Sequence, residues 1–323
     1  MLLGAFYPCR ANDSLADAIR GAVENVVPRL VRIDTIGGYD RVGGELANEG
    51  ATTGLLVDAQ GHILTSSFNF AHEPSSILVR FHDGTRKVAK VVAADSSRKL
   101  TLLKAETPDE KIVERIEPLE SLPIPTLQVG QYVVAVGLAL SMEEPNISLG
   151  ILSGKNRIWG KAIQTDAKIS PNNYGGPLLN LQGEILGLCV PLSAMSDEMT
   201  AGAEMYDAGV GMAIPVADLL TSLRKLKEGE NLEAGFSGLG FGELALFTGP
   251  ATIDAVAKNS PAEKAGLQKG DRIVRIDGDP VESAMAATIK FRRKYAGETI
   301  TVTIRRGEGS GEISFDIPLV SGQ

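Results

Sequence analysis

The chain is poor in residues that staple, ligate or stack. Its 323 residues include two cysteines, three histidines and one tryptophan, and aromatic residues make up 5%. Cys9 and Cys189 lie far apart and no Cys/His spacing of the metal-binding kind occurs, so neither a disulfide framework nor a metal centre can be read, and no cofactor is expected. Cys189 stands in the apolar run 185–192 and reads as a small buried hydrophobe. Lys and Arg number 32 against 40 Asp and Glu, for a net charge of −8. With no basic stripe carrying interleaved aromatics, nucleic acid is not an expected partner. No apolar run approaches the roughly 18–20 residues of a membrane span. The opening run from Met1 to Ala11 is apolar but lacks a basic start. It reads either as the tail of an export signal with Ala11 at the cleavage point, which would place the protein in the periplasm or otherwise outside the cytoplasm, or as a frayed terminus.

What is present is the composition of a water-soluble folded chain, 43% hydrophobic and 22% charged, long enough for two or three folding units. From Ser14 the apolar residues Leu15, Ala18, Ile19, Ala22, Val23, Val26 and Val27 recur at helical spacing, and Pro28 closes that helix. Short β-branched runs follow at 30–35, 52–57, 62–66, 76–81, 86–93 and 100–104. Asp83-Gly84 supplies a hairpin turn whose residues tolerate positive φ. Six short strands without long helices predict a small barrel. A second set at 132–136, 148–153, 162–165, 177–180, 184–191 and 211–214 predicts another, closed by a helix over 216–226. The polar stretch from Lys225 to Gly235 reads as a linker, with a boundary near Gly229. Beyond it, strands near 236–246, 251–256, 272–276, 299–305 and 312–318 with helices at 262–265 and 282–295 predict a small sheet-plus-helix unit. The expected division is a leader at 1–13, a double-barrel unit at 14–228 and a third unit at 229–323.

The segment Ile163-Gln-Thr-Asp-Ala-Lys-Ile-Ser-Pro-Asn-Asn-Tyr174-Gly-Gly-Pro-Leu closely resembles the HtrA (DegP/DegS-like) family, in which Ile-Gln-Thr-Asp-Ala leads to Pro-Gly-Asn-Ser-Gly-Gly-Pro-Leu around a nucleophilic serine. Thr53-Gly54, Gly61-His-Ile-Leu-Thr, Leu100-Thr-Leu-Leu-Lys, Ala135-Val-Gly137, Gly150-Ile-Leu-Ser-Gly154 and Val210-Gly-Met-Ala-Ile-Pro215 follow in family order. The resemblance implies a mainly β fold, a trypsin-like pair of six-stranded barrels, over roughly residues 20–225. The run Asn259-Ser-Pro-Ala-Glu-Lys-Ala-Gly-Leu-Gln-Lys-Gly-Asp271 resembles the PDZ domain of the same family, which implies a small β-sheet with two helices behind the barrels.

The chain departs from the family where the chemistry would sit. The position of the family's histidine is Phe68, which cannot accept a proton. The aspartate position is Lys99, whose charge would repel an imidazolium. The serine position is Tyr174, whose phenol has a pKa near 10 and reaches well beyond a serine hydroxyl. The oxyanion-loop glycine is Asn172, followed by Asn173. His72, Asp95 and Ser170 each stand four residues from a lost position, but a triad rebuilt from them would need a slip in every loop. His62 and His82 read as ordinary strand or turn residues.

Resemblance to the PDZ domain implies a carboxylate-binding loop at Gly235, Phe236, Ser237, Gly238 and Leu239, whose amides would capture a peptide C-terminus while the peptide adds a strand. Ala286, Ile289 and Lys290 on the following helix are the expected specificity residues, with a small apolar terminal residue preferred. The expected function is a catalytically inactive pseudoprotease that binds peptides or protein C-termini in a regulatory, scaffold or chaperone-like role. The alternative is an active serine endopeptidase of protein quality control. The family's trimers imply a homotrimer or co-assembly with active relatives, to which Phe6 and Tyr7 could contribute.

Overall fold

Helix α1 (Asp13–Val26) buries Ala22, Val23 and Val26 at helical spacing, and Pro28 tightens its end into a 3-10 turn over Val27–Arg29. The structure, a computed structural model, describes residues 13–37, 41–42, 45–46, 50–71, 74–106, 116–193, 208–242, 249–307 and 311–322. Residues 1–12 of the expected leader, with Phe6, Tyr7 and Cys9, and also His72, lie outside the described residues. Among the described residues no helix is long and apolar enough to cross a membrane.

Strands β1 (Leu30–Ile36), β2 (Gly50–Leu56), β3 (His62–Ser66), β4 (Ser76–Arg80), β5 (Arg86–Asp95) and β6 (Leu100–Ala105) close a barrel in the order β1-β2-β3-β6-β5-β4. Strands β7 (Tyr132–Gly137), β8 (Asn146–Asn156), β9 (Ala162–Thr165), β10 (Pro177–Leu179), β11 (Ile185–Cys189) and β12 (Gly211–Pro215) close a second one, β8-β9-β12-β11-β10-β7, the same order read from a different starting strand. Alternation of side chains across each strand fills the barrel interiors. Ile33, Ile63, Val79 and Leu103 fill the first, and Val133, Ala135, Leu152 and Leu186 the second. A separate cluster glues the barrels face to face, with Leu64, Leu100, Val134, Val136 and Leu188, and with Leu219 and Leu223 from helix α2 (Val216–Lys227). In the β4–β5 hairpin only Gly84 adopts positive φ, at 87°; Asp83 turns its carboxylate to the Thr85 amide and hydroxyl instead.

The third region is assembled from β13 (Gly235–Phe236), β14 (Leu239–Gly240), β15 (Ala255–Val256), α3 (Pro261–Ala265), β16 (Arg272–Ile276), β17 (Asp279–Pro280), α4 (Ala284–Arg292), β18 (Thr299–Arg305), β19 (Glu312–Pro318) and β20 (Val320–Ser321). A four-stranded sheet in the order β17-β16-β18-β19 packs with α3 and α4 around Ile273, Ile276, Phe291, Val302 and Ile304. β13 pairs with β20, and β14 with β15. The strand expected at 236–246 is broken by Ser237-Gly238, where Gly238 has φ 84°, and its residues 243–246 fall outside the described chain. Helix α4 is shorter than the predicted 282–295: Ser283 caps it by accepting from the Ala286 amide at 3.2 Å.

Tyr295, expected at that helix's end, is 2% exposed and belongs to the inter-barrel core rather than to the PDZ core. Its hydroxyl donates to Asp95 Oδ2 at 2.6 Å and accepts from Arg98 Nη1. Ser222 Oγ donates to the same carboxylate oxygen at 2.9 Å. Asp95 is fully buried, and Arg98 lies 4.7 Å over the Tyr295 ring. Burial and the adjacent carboxylate raise the Tyr295 phenol pKa, so it stays a protonated donor. Arg293 adds hydrogen bonds to Asp218 and, at 2.7 Å, to the Gly160 carbonyl. A desolvated polar cluster of this kind has a defined geometry because every missing partner would be costly.

Candidate functional site

The cleft between the barrels brings Phe68 and Tyr174 together. Phe68 sits in the 3-10 turn Ser67–Phe70 after β3, its amide donating to Ser66 Oγ at 3.2 Å. Tyr174 follows the 3-10 turn Pro171–Asn173 and is 2% exposed, packed with Leu178, Ile169 and Ala213 of the second barrel. The two rings meet edge to face, centroids 5.3 Å apart at 66°. Lys99 is buried, has φ 55°, and accepts the Ser67 amide on its carbonyl at 2.8 Å, which ties its loop to the one carrying Phe68.

The loop before Tyr174 is wound tightly on itself. Ser170 Oγ accepts the Asn172 amide at 3.3 Å, and the Tyr174 amide donates to the Pro171 carbonyl at 3.3 Å. A trypsin-like oxyanion hole uses the amide of the nucleophile and the amide two residues earlier. Both corresponding amides, of Tyr174 and Asn172, are turned into the loop's own hydrogen bonds. Asn173 is fully buried and accepts from Asn146 Nδ2 at 3.2 Å. The first barrel grips the loop from the other side: Thr53 N and Thr52 Oγ1 donate to the Tyr174 carbonyl at 3.3 and 3.0 Å. Gly175, at φ 77°, sits where a Cβ would stand 2.0 Å from the Thr53 carbonyl.

Two of the conceivable substitute residues are engaged elsewhere. Asp95 is the acceptor of the Tyr295 and Ser222 hydroxyls, and Ser170 caps the turn before Tyr174. His62 pairs through Nδ1 with Asp58 Oδ2 at 2.8 Å, and Lys227 reaches the same carboxylate at 2.9 Å. Burial alone would raise the Asp58 pKa, but hydrogen bonds from His62 and Lys227 hold it well below the usual carboxylate range. Burial pushes the Cys189 thiol up to about 12, which leaves it an unreactive core residue. Among the described residues no His/Cys/Asp/Glu group could hold a metal.

The second site is a cavity of about 370 Å³ at the PDZ loop, lined by Gly235, Phe236, Ser237, Gly238, Leu239, Gly240 and Phe241, by Thr288, Phe291 and Arg292 of α4, and by Trp159 of the second barrel. The five loop residues read from the sequence are therefore brought together. The helix residues are not: Ile289 faces the barrel at Gly160, Lys290 pairs with Asp279 at 2.7 Å, and Ala286 packs on the PDZ core. The cavity takes the next stripe of the helix, 288, 291 and 292, because Ala284, Ala287 and Phe291 are the buried face that sets its rotation. Ser237 is held by its own turn, its Oγ accepting the Leu239 amide at 3.3 Å. Trp159 was not legible from periodicity; that it is the one tryptophan of the chain was the available signal.

Comparison with known proteins agrees with this architecture. A trypsin-like peptidase domain model matches residues 52–188, and a PDZ domain model matches residues 217–318. A protein of Hahella chejuensis described as a probable periplasmic serine endoprotease, DegP-like, is 30% identical over 327 residues, covering 97% of this chain and 65% of its own length. The chain thus spans just under two thirds of that relative. The solved structure of the HtrA-type protease AlgW with a tripeptide matches at TM-score 0.67 and 21% identity, over 94% of this chain and 96% of that one. The serine endoprotease from Yersinia pestis matches at 0.63 and 23%, over 94% and 98%. At such identities the two structures speak for the fold. Together with the sequence match along nearly the whole chain, they lead to one assignment: the chain belongs to the HtrA family, with a trypsin-like double barrel followed by a PDZ domain.

Proposed function

We propose that this chain is a catalytically inactive HtrA-fold protein, exported to the periplasm or a similar compartment, that binds peptides or protein C-termini through its PDZ domain in a scaffold, regulatory or chaperone-like role. The observation that carries this reading is the edge-to-face packing of Phe68 on Tyr174, at 5.3 Å, where the family places its base and nucleophile. Acyl transfer needs a base within hydrogen-bond reach of a nucleophile and donors aimed at the developing oxyanion. Phe68 offers no base, Lys99 no carboxylate, and the Asn172 and Tyr174 amides are consumed within their own turn. The domain division at residue 228, with the PDZ unit at 229–323, is part of the same proposal, as is assembly into a homotrimer or with active relatives; a native mass separates these from a monomer.

The name of the Hahella relative favours a second reading, an active serine endopeptidase. Incubating the purified chain at high concentration with casein, beside Tyr174→Ala, and counting products by mass spectrometry decides between them. No products from either supports the binder. Cleavage by the parent that is lost in the variant would assign chemistry to Tyr174 and sink the proposal.

A further inference from the structure

The cavity at the carboxylate loop is a joint construction of two domains. Trp159 reaches it from the turn between β8 and β9, and that turn is bent against local preference: Asn156, Ile158, Trp159 and Gly160 all have positive φ, at 55°, 48°, 58° and 80°. A left-handed β-branched isoleucine is strongly disfavoured unless its surroundings impose it. The surroundings are PDZ residues. Arg293 Nη1 donates to the Gly160 carbonyl at 2.7 Å, and a Cβ on Gly160 would stand 2.6 Å from Ile289 Cγ2. The PDZ helix therefore fixes the barrel turn, and the turn sets Trp159 against the helix's next residue, Arg292, whose guanidinium lies 5.8 Å from the indole centroid.

Arg292 is exposed, and among the described residues it has no carboxylate partner. It is also the one cation among the residues lining the cavity. A peptide C-terminus arrives with a full negative charge, and the loop amides alone answer it with partial charges. A guanidinium placed over a ring loses less freedom when it takes up a planar carboxylate. We propose that Arg292, held by Trp159 of the barrel, receives the free α-carboxylate of a peptide bound in the PDZ cavity, and that Trp159 is the wall against which the terminal side chain packs. The inference rests on the peptide-binding reading above and names the two residues that set its selectivity.

The test uses the full chain and short synthetic peptides ending in Ala, Val, Leu or Phe, each made as a free acid and as a C-terminal amide. Labelled-peptide anisotropy reads affinity, and Trp159 emission reports occupancy directly because the chain has no other tryptophan. Free acids should bind and shift the emission, with amides roughly tenfold weaker or worse. Arg292→Gln should lose roughly that factor on the acids and nothing on the amides. Trp159→Ala should behave like Arg292→Gln, Trp159→Phe should recover part of the loss, and Lys290→Ala, whose partner is Asp279, should bind as the parent does. If the parent prefers acids and Arg292→Gln keeps the same preference, this inference is overturned while the PDZ reading stands. If the parent binds no free-acid peptide, the PDZ reading fails and takes the inference with it.

Discussion

Between the barrels, Phe68 packs edge to face on Tyr174, which is only 2% exposed; at the PDZ loop, Phe236 stands 43% exposed beside a cavity of about 370 Å³. The contrast separates two uses of aromatic surface. An aromatic ring packed in a core spends its apolar area on stability, whereas one left at the rim of a cavity is available to a ligand. Tyr174 belongs to the second barrel's core, with Phe68 packed against it, whereas Phe236 stays exposed. Between them lies the Asp95–Arg98–Tyr295 cluster, which fixes the PDZ domain to the inter-barrel core.

The largest expected effect tests what joins the two regions. Asp95→Ala removes the shared acceptor of the Tyr295 and Ser222 hydroxyls and a carboxylate beside buried Arg98, and should cost about 3–5 kcal/mol in chemical denaturation. A loss below about 1 kcal/mol would show the cluster to be solvated. Tyr174→Ala should cost a similar ~3–5 kcal/mol by emptying a packed site, and half-buried Phe68→Ala less, about 1–3 kcal/mol. Neutral outcomes at both would mean that the cleft is open and would break the contrast. Phe236→Ala should do the opposite, shifting stability by less than ~0.5 kcal/mol while weakening peptide binding several-fold.

The smallest effect concerns acid. Burial alone would raise the Asp271 pKa, but the two-pronged hydrogen bond from Arg306, at 2.7 Å on each oxygen, and the Gln268 amide hold it below the usual value. A carboxylate with a depressed folded pKa contributes stability above its unfolded pKa of roughly 4, and that contribution is lost as pH falls toward the folded value. Melting temperatures taken between about pH 3 and 7 should fall on the acid side. Asp271→Asn should flatten that limb, and an unchanged slope would count against the pairing.

The barrels were legible because alternation and turn residues repeat locally: β3 and β9 begin and end where the hydrophobic pattern places them. The departures from the family pattern at Phe68, Lys99 and Tyr174 were legible because those positions sit in long matching motifs. Other features were hidden for a physical reason. Asp95, Ser222 and Tyr295 are distant in sequence and share no local pattern, so their hydrogen bonds follow only from tertiary packing. The packing of α4 was hidden because Ile289, expected at the pocket, meets Gly160 of the other domain, a contact that no local pattern signals. Trp159 sits in a turn held by left-handed residues, for which neither helical nor strand periodicity gives a signal.

The proposed loss of catalysis requires that the barrel cleft hold no activated serine. Incubating the full chain with a fluorophosphonate, which forms a covalent adduct with an activated serine, and measuring intact mass decides whether one is present. The chain should remain unmodified under conditions that fully label an active HtrA-type protease. A stoichiometric adduct mapped to Ser170, or to any other serine of the double barrel, would contradict it.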